Sequence, residues 1–157
     1  MLPTFTVVTC VAAFVIIACL AVMRAQQAEG SRALARCTLA GYIVTLLYIT
    51  VFSRAAITEM RLHLTPFEDF NPIKWIGFAE NVILFLPAGA LLLAGTSCAV
   101  HTGLWFGSFL SLSVELIQLI SRRGIADIDD LLANTLGGLL GAAWYCLVRK
   151  AASKQNT

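Results

Sequence analysis

Charge is scarce in this chain. Only 13% of its 157 residues are Asp, Glu, Lys or Arg, against about 25% in soluble domains. With 59% hydrophobic residues and a mean hydropathy of +0.82, the composition excludes a water-soluble globule and indicates an integral membrane protein. Histidine is rarer still: His63 and His101 fall in loops predicted on opposite sides of the membrane, which excludes a paired-histidine metal centre. The five cysteines, Cys10, Cys19, Cys37, Cys98 and Cys146, have an odd count and no CxxC spacing, so they are read as small apolar packing residues rather than as disulfides or zinc ligands. No spacing matches a recognised cation loop, and no metal or cofactor is expected. No basic stripe with interleaved aromatics exists for nucleic acid, and no internal repeat supports an inverted-repeat transporter. No Lys or Arg precedes Arg24, so the first segment lacks the basic region of a secretory signal. Ile16-Ile17-Ala18-Cys19 resembles a lipoprotein cleavage box, but the segment reads as an uncleaved helix.

What the chain does have is long apolar runs. A helix needs about 20 apolar residues to cross a bilayer. Five runs approach that length: Thr4 to Met23, Leu34 to Ser53, Glu80 to Thr96, Gly103 to Ser121 and Leu131 to Val148. The predicted fold is therefore an all-α, polytopic membrane bundle of about five spans. Two helices occupy residues 1–53, an outer interfacial loop 54–79, a three-helix core 80–148 and a tail 149–157. In the loop, Pro66 and Pro72 prevent one continuous helix, while Phe67, Phe70, Trp75 and Phe78 suit the headgroup region. With the amino terminus outside and the carboxyl terminus inside, Arg24, Arg32, Arg36, Arg149, Lys150 and Lys154 face the cytoplasm, against Arg54, Arg61, Lys74, Arg122 and Arg123 outside. This is the orientation the positive-inside rule prefers, and of nine acids only Glu29 falls inside.

The polar residues of the core concentrate near one surface. Ser111, Glu115, Gln118 and Arg122 follow i, i+4, i+7, i+11 spacing and share one helical face. A charge in hydrocarbon costs about 2.5–3.5 kcal/mol on insertion scales, so Glu115 is a functional candidate by default; interhelical hydrogen bonding is the competing explanation. Asp127, Asp129 and Asp130 precede the last span and exceed the single aspartate a helix cap needs; pairing with Arg122 and Arg123, or holding a divalent cation or a cationic substrate group, is an additional role. Asn134 shares a face with Asp130, and Gly137 and Gly141 have the small-xxx-small spacing of closely packed helices. On the third span, Asn81 and Phe85 share a face, and Pro87 interrupts the hydrogen-bond ladder, where a kink could open space beside Glu115. Acid/base chemistry would fall to Glu115, Asp127 or Asp130.

Taken in order, Leu64-Thr65-Pro66-Phe67, Asn81-Val82-Ile83-Leu84-Phe85-Leu86-Pro87-Ala88-Gly89, Glu115-Leu116-Ile117-Gln118 and Asp127-Ile128-Asp129-Asp130-Leu131-Leu132-Ala133-Asn134-Thr135-Leu136-Gly137-Gly138 resemble the VanZ-like family over residues 62 to 145. The resemblance implies a small multi-pass protein of the bacterial cytoplasmic membrane, with a best-known relative that lowers susceptibility to the glycopeptide teicoplanin. Carried over by position, the motif residues are Pro66, Phe67, Asn81, Phe85, Pro87, Gly89, Glu115, Gln118, Arg123, Asp127, Asp129, Asp130, Asn134 and Gly138; His63 and Ala88 depart from the common pattern. The expected binding set is Asn81, Glu115, Gln118, Arg123, Asp127, Asp129, Asp130 and Asn134. Its expected partners are membrane lipids and a lipid-linked wall precursor or a glycopeptide. A membrane-embedded enzyme acting on a lipid-linked substrate and a structural partner of envelope proteins are the alternatives.

Overall fold

The computed structural model describes residues 30–52, 54–68, 71–96 and 98–155. Its elements, in chain order, are α1 (Ser31–Leu47) running into a π-helical turn (Tyr48–Phe52), β1 (Leu62–His63), α2 (Pro72–Gly95), α3 (His101–Ser121), β2 (Ala126–Asp127) and α4 (Ile128–Gln155). Among the described residues, four segments are long and apolar enough to span a bilayer: Ser31–Phe52, Pro72–Gly95, His101–Ser121 and Ile128–Lys154. They match the second to fifth expected spans; the first expected span, with Cys10 and Cys19, lies outside the described residues. The protein is an all-α membrane bundle.

Two boundaries differ from the sequence reading. Helix α2 starts at Pro72 rather than Glu80, because proline at the first helical position loses an N–H that would have no partner there anyway. The Asn71 side chain caps it, accepting from the backbone N–H of Ile73 (3.0 Å) and Lys74 (3.1 Å). Helix α4 starts at Ile128 rather than Leu131, with Asp127 as its cap: Oδ1 accepts from the Asp129 N–H at 2.9 Å.

Helices in lipid gain little from the hydrophobic effect and associate by close packing and hydrogen bonds. Glycines supply the close packing. A Cβ added to Gly89 of α2 would stand 1.9 Å from the Gly138 carbonyl oxygen of α4, and one added to Gly141 would stand 1.8 Å from that of Leu86. Gly138 also meets α3, with its backbone against Gly103 and Gly107, so α4 is wedged between α2 and α3. Helix α1 joins through its packing on α2. There the Tyr42 hydroxyl donates to the Leu84 carbonyl, and Arg36 Nε donates to the Gly95 carbonyl at 2.8 Å.

Hydroxyls inside the spans are satisfied locally: Thr38, Thr45, Thr50, Thr96, Ser108 and Ser113 each donate to the carbonyl four residues earlier. The outward faces are apolar, with Trp105, Phe109, Leu112, Leu116 and Ile120 exposed on α3 and Leu132, Leu136, Leu140 and Leu147 on α4. Free Cys146 packs against the core as expected, whereas free Cys37 and Cys98 are exposed. Pro87 is buried next to Leu86, at the depth of Gly138 and Gly141, while Glu115 sits at the depth of Asp127.

Gly141→Ala forces α2 and α4 apart and is expected to lower stability by about 1–3 kcal/mol. Gly77→Ala, where an added Cβ meets nothing within 4 Å, is expected to leave it unchanged or slightly raised. Thermal unfolding of both variants in detergent checks the pair.

Candidate functional site

The inward face of α3 carries a ladder of polar groups, each met by a specific partner. Ser108 Oγ accepts from Thr135 Oγ1 (3.2 Å), Ser111 Oγ accepts from Asn134 Nδ2 (2.9 Å), and Glu115 Oε2 accepts from the Asp127 backbone N–H (3.0 Å). At the end of the ladder, Gln118 Nε2 donates to the Thr50 carbonyl at 3.0 Å. Ser111, Glu115, Gln118 and Asn134 are all buried, and Glu115 is only 7% exposed. The i, i+4, i+7 spacing thus does turn three polar side chains into the bundle.

Arg122 does not continue the row. It is exposed and ends α3 in the left-handed conformation (φ 54°). Arg123 bonds backbone carbonyls rather than carboxylates: Nη1 donates to the carbonyls of Phe52 and Arg54, each at 3.1 Å. These carbonyls lie at the carboxyl end of the Ser31–Phe52 span, where a helix has no backbone donors of its own and favours a cation. Arg123 therefore caps the Ser31–Phe52 span after its π-helical turn. The expected pairing of the two arginines with the aspartates is corrected accordingly.

The aspartates meet a different set of partners. Residues Leu62–His63 pair in parallel with Ala126–Asp127, laying the outer segment on the turn between α3 and α4. His63 Nδ1 comes within 3.3 Å of Asp127 Oδ1, and Nε2 within 3.2 Å of Glu68 Oε2. The hydrogen bond to the Asp127 carboxylate, joined by the Asp127 charge and the hydrogen bond to Glu68, raises the His63 pKa above 6.5 despite opposing desolvation and the Lys74 charge. Asp129 Oδ1 accepts from the Phe67 N–H at 3.0 Å, holding Phe67 at a positive φ of 56° that a bulky residue rarely adopts. Asp130 Oδ1 accepts from Asn81 Nδ2 at 2.6 Å and ties α4 to α2.

Asp127, Asp129 and Asp130 line a recess of about 100 Å³ together with Lys74, Gly77 and Phe78 of α2. Beside it Phe67, Phe78 and Trp75 form an aromatic group with centroid separations of 6.2 and 6.3 Å. Of the expected binding residues, Asp127, Asp129 and Asp130 line the recess and Asn81 hydrogen-bonds one of its walls. Glu115, Gln118 and Asn134 form the ladder, and Arg123 is outside both.

These are the positions where the sequence motifs converge. A family model described as VanZ/LLP1 matches residues 39–149. This chain belongs to the VanZ/LLP1 family. It is 35% identical over 131 residues to Protein VanZ of Enterococcus faecium, covering 78% of this chain and 80% of that protein. No solved structure matches it. The matched residues include both the recess and the ladder.

Sequence reasoning missed His63, Glu68 and Lys74 as parts of the site. Their only signal was position: all three are polar and flank the aromatic residues of the outer segment. Glu115→Leu removes the acceptor of the Asp127 N–H and is expected to cost about 1–3 kcal/mol of stability. Glu115→Gln keeps an acceptor oxygen and is expected to cost less. Unfolding of the two variants in detergent measures the difference, and equal losses would show that the hydrogen bond does not hold the turn.

Proposed function

We propose that the protein acts at the outer leaflet of the bacterial cytoplasmic membrane. There its recess receives the headgroup of a wall precursor or membrane lipid, and this lowers susceptibility to glycopeptides such as teicoplanin. The observation that carries this reading is a recess with three aspartates on one wall and Lys74 on the other, bordered by aromatic side chains. Trp and other aromatics favour the membrane–water interface, the depth of lipid headgroups.

Charge asymmetry supports the orientation. Arg32 and Arg36 at the start of α1, and Arg149, Lys150 and Lys154 at the end of α4, lie at the far end of the bundle from the recess. Described acids accompany the basic residues only at the recess end. The positive-inside rule then directs the recess outward, with the carboxyl terminus inside.

The aspartates suit an ammonium or hydroxyl group, and Lys74 suits a phosphate or carboxylate on the same headgroup. Glu115 is engaged by the Asp127 backbone below this surface, which favours a positioning role over acid/base catalysis. Family membership brings the antibiotic phenotype into the reading, but not its mechanism.

Expression in a susceptible host is expected to raise the teicoplanin minimum inhibitory concentration several-fold, and Asp130→Asn at equal membrane abundance to abolish most of the rise. Unchanged susceptibility with the wild-type protein would overturn the resistance reading. Lipid precursors incubated with the purified protein should keep their masses; a new product lost in Glu115→Gln would establish the enzyme reading instead.

A further inference from the structure

We propose that His63, Asp127 and Asp129 form a binding site for a first-row divalent metal ion of the Zn²⁺ type. One ligand atom from each lies within 4.8 Å of the others, in a cluster contributed by β1, β2 and the first turn of α4. Ligand atoms bound about 2.0–2.2 Å from a shared ion stand roughly 3–4.3 Å from one another. The 3.3 Å separation of His63 Nδ1 and Asp127 Oδ1 already falls in that range, and an Asp129 oxygen stands within 4.8 Å of both ligand atoms.

The observation that points to an ion, rather than to an acidic patch, is Asp129. It is 6% exposed, and while Oδ1 takes the Phe67 N–H, Oδ2 is buried and has no protein partner. A buried carboxylate oxygen without a donor is costly, and this residue lines the recess. A cation held between Asp129, Asp127 and His63 supplies the missing partner.

The surroundings have the form that metal ligands require. A metal-bound histidine usually has its second ring nitrogen on a carboxylate or carbonyl, and His63 Nε2 faces Glu68 Oε2 at 3.2 Å. Both aspartates are oriented by backbone donors, Asp127 Oδ1 by the Asp129 N–H and Asp129 Oδ1 by the Phe67 N–H. The imidazole favours Zn²⁺ and its first-row neighbours over Ca²⁺ or Mg²⁺, which prefer oxygen alone. Three protein ligands leave a four-coordinate ion at least one position for an outside oxygen. Asp127 and Asp129 also line the recess of the proposed function, but the site does not depend on what headgroup, if any, enters it.

The test uses the purified full chain, without a histidine tag, titrated with Co²⁺ and then with Zn²⁺. The expected result is saturation at about one ion per chain, with Co²⁺ d–d bands that Zn²⁺ abolishes and no thiolate charge-transfer band. His63→Gln and Asp129→Asn are each expected to weaken binding by at least about tenfold. Asp129 also holds the Phe67 backbone, so if Asp129→Asn fails to fold, His63→Gln decides the matter alone. Lack of saturable binding by the folded wild type, a thiolate band, or unchanged affinity in His63→Gln would overturn the proposal. Binding is read without antibiotic or precursor, so a negative result leaves the susceptibility assay to judge the headgroup reading, and a negative susceptibility assay leaves the metal site standing.

Discussion

The Asp127 backbone N–H donating to the Glu115 carboxylate is the contact on which the recess depends. A carboxylate in a bundle surrounded by hydrocarbon must find its donors within the protein. By finding one at the end of the turn after α3, Glu115 fixes where the chain reverses. The consequences run outward in order. Asp127, held there, caps α4. Its strand then pairs with residues 62–63. Asp129, two residues later, fastens the Phe67 backbone. One buried acid thereby sets the positions of the histidine, two aspartates and an aromatic side chain that are far from it in sequence or in depth.

The apolar half of the structure makes this arrangement possible. Because Gly89, Gly137, Gly138 and Gly141 let backbone meet backbone, α2 approaches α4 closely enough for Asn81 to reach Asp130 at their shared end. Larger side chains at these positions would widen the gap and separate Lys74 and Phe78 from the aspartates across the recess. Packing deep in the membrane and polar geometry at its surface are therefore one design. Two basic clamps complete it: Arg36 of α1 reaches the carboxyl end of α2, and Arg123 reaches that of the Ser31–Phe52 span.

The features legible in the sequence were those with a local cause. Apolar runs identified the second to fifth spans, and helical periodicity put Ser111, Glu115 and Gln118 on one inward face. The same periodicity failed for Arg122, because the helix ends there in a left-handed residue and the face no longer exists. Arg123 was assigned to the acids by charge alone, whereas the unpaired carbonyls at a helix end attracted it more specifically. Pro72 was read as a breaker when its position after Asn71 makes it a starter. His63 could not be placed at all: its partner Asp127 is brought to it by a parallel pairing between segments separated by two spans, and no spacing rule encodes that.

The central claim is that the outer segment lies on the turn that Glu115 holds, in the register Leu62 with Ala126 and His63 with Asp127. Disulfide trapping tests it most directly, using Leu62→Cys with Ala126→Cys after replacement of the five native cysteines. Paired strand positions stand about 5 Å apart, within the Cα separation that a disulfide spans. Rapid intramolecular cross-linking in native membranes under mild oxidant, slowed when Glu115→Leu is added, is the predicted result. Failure of this pair to cross-link while the protein remains folded would contradict the account.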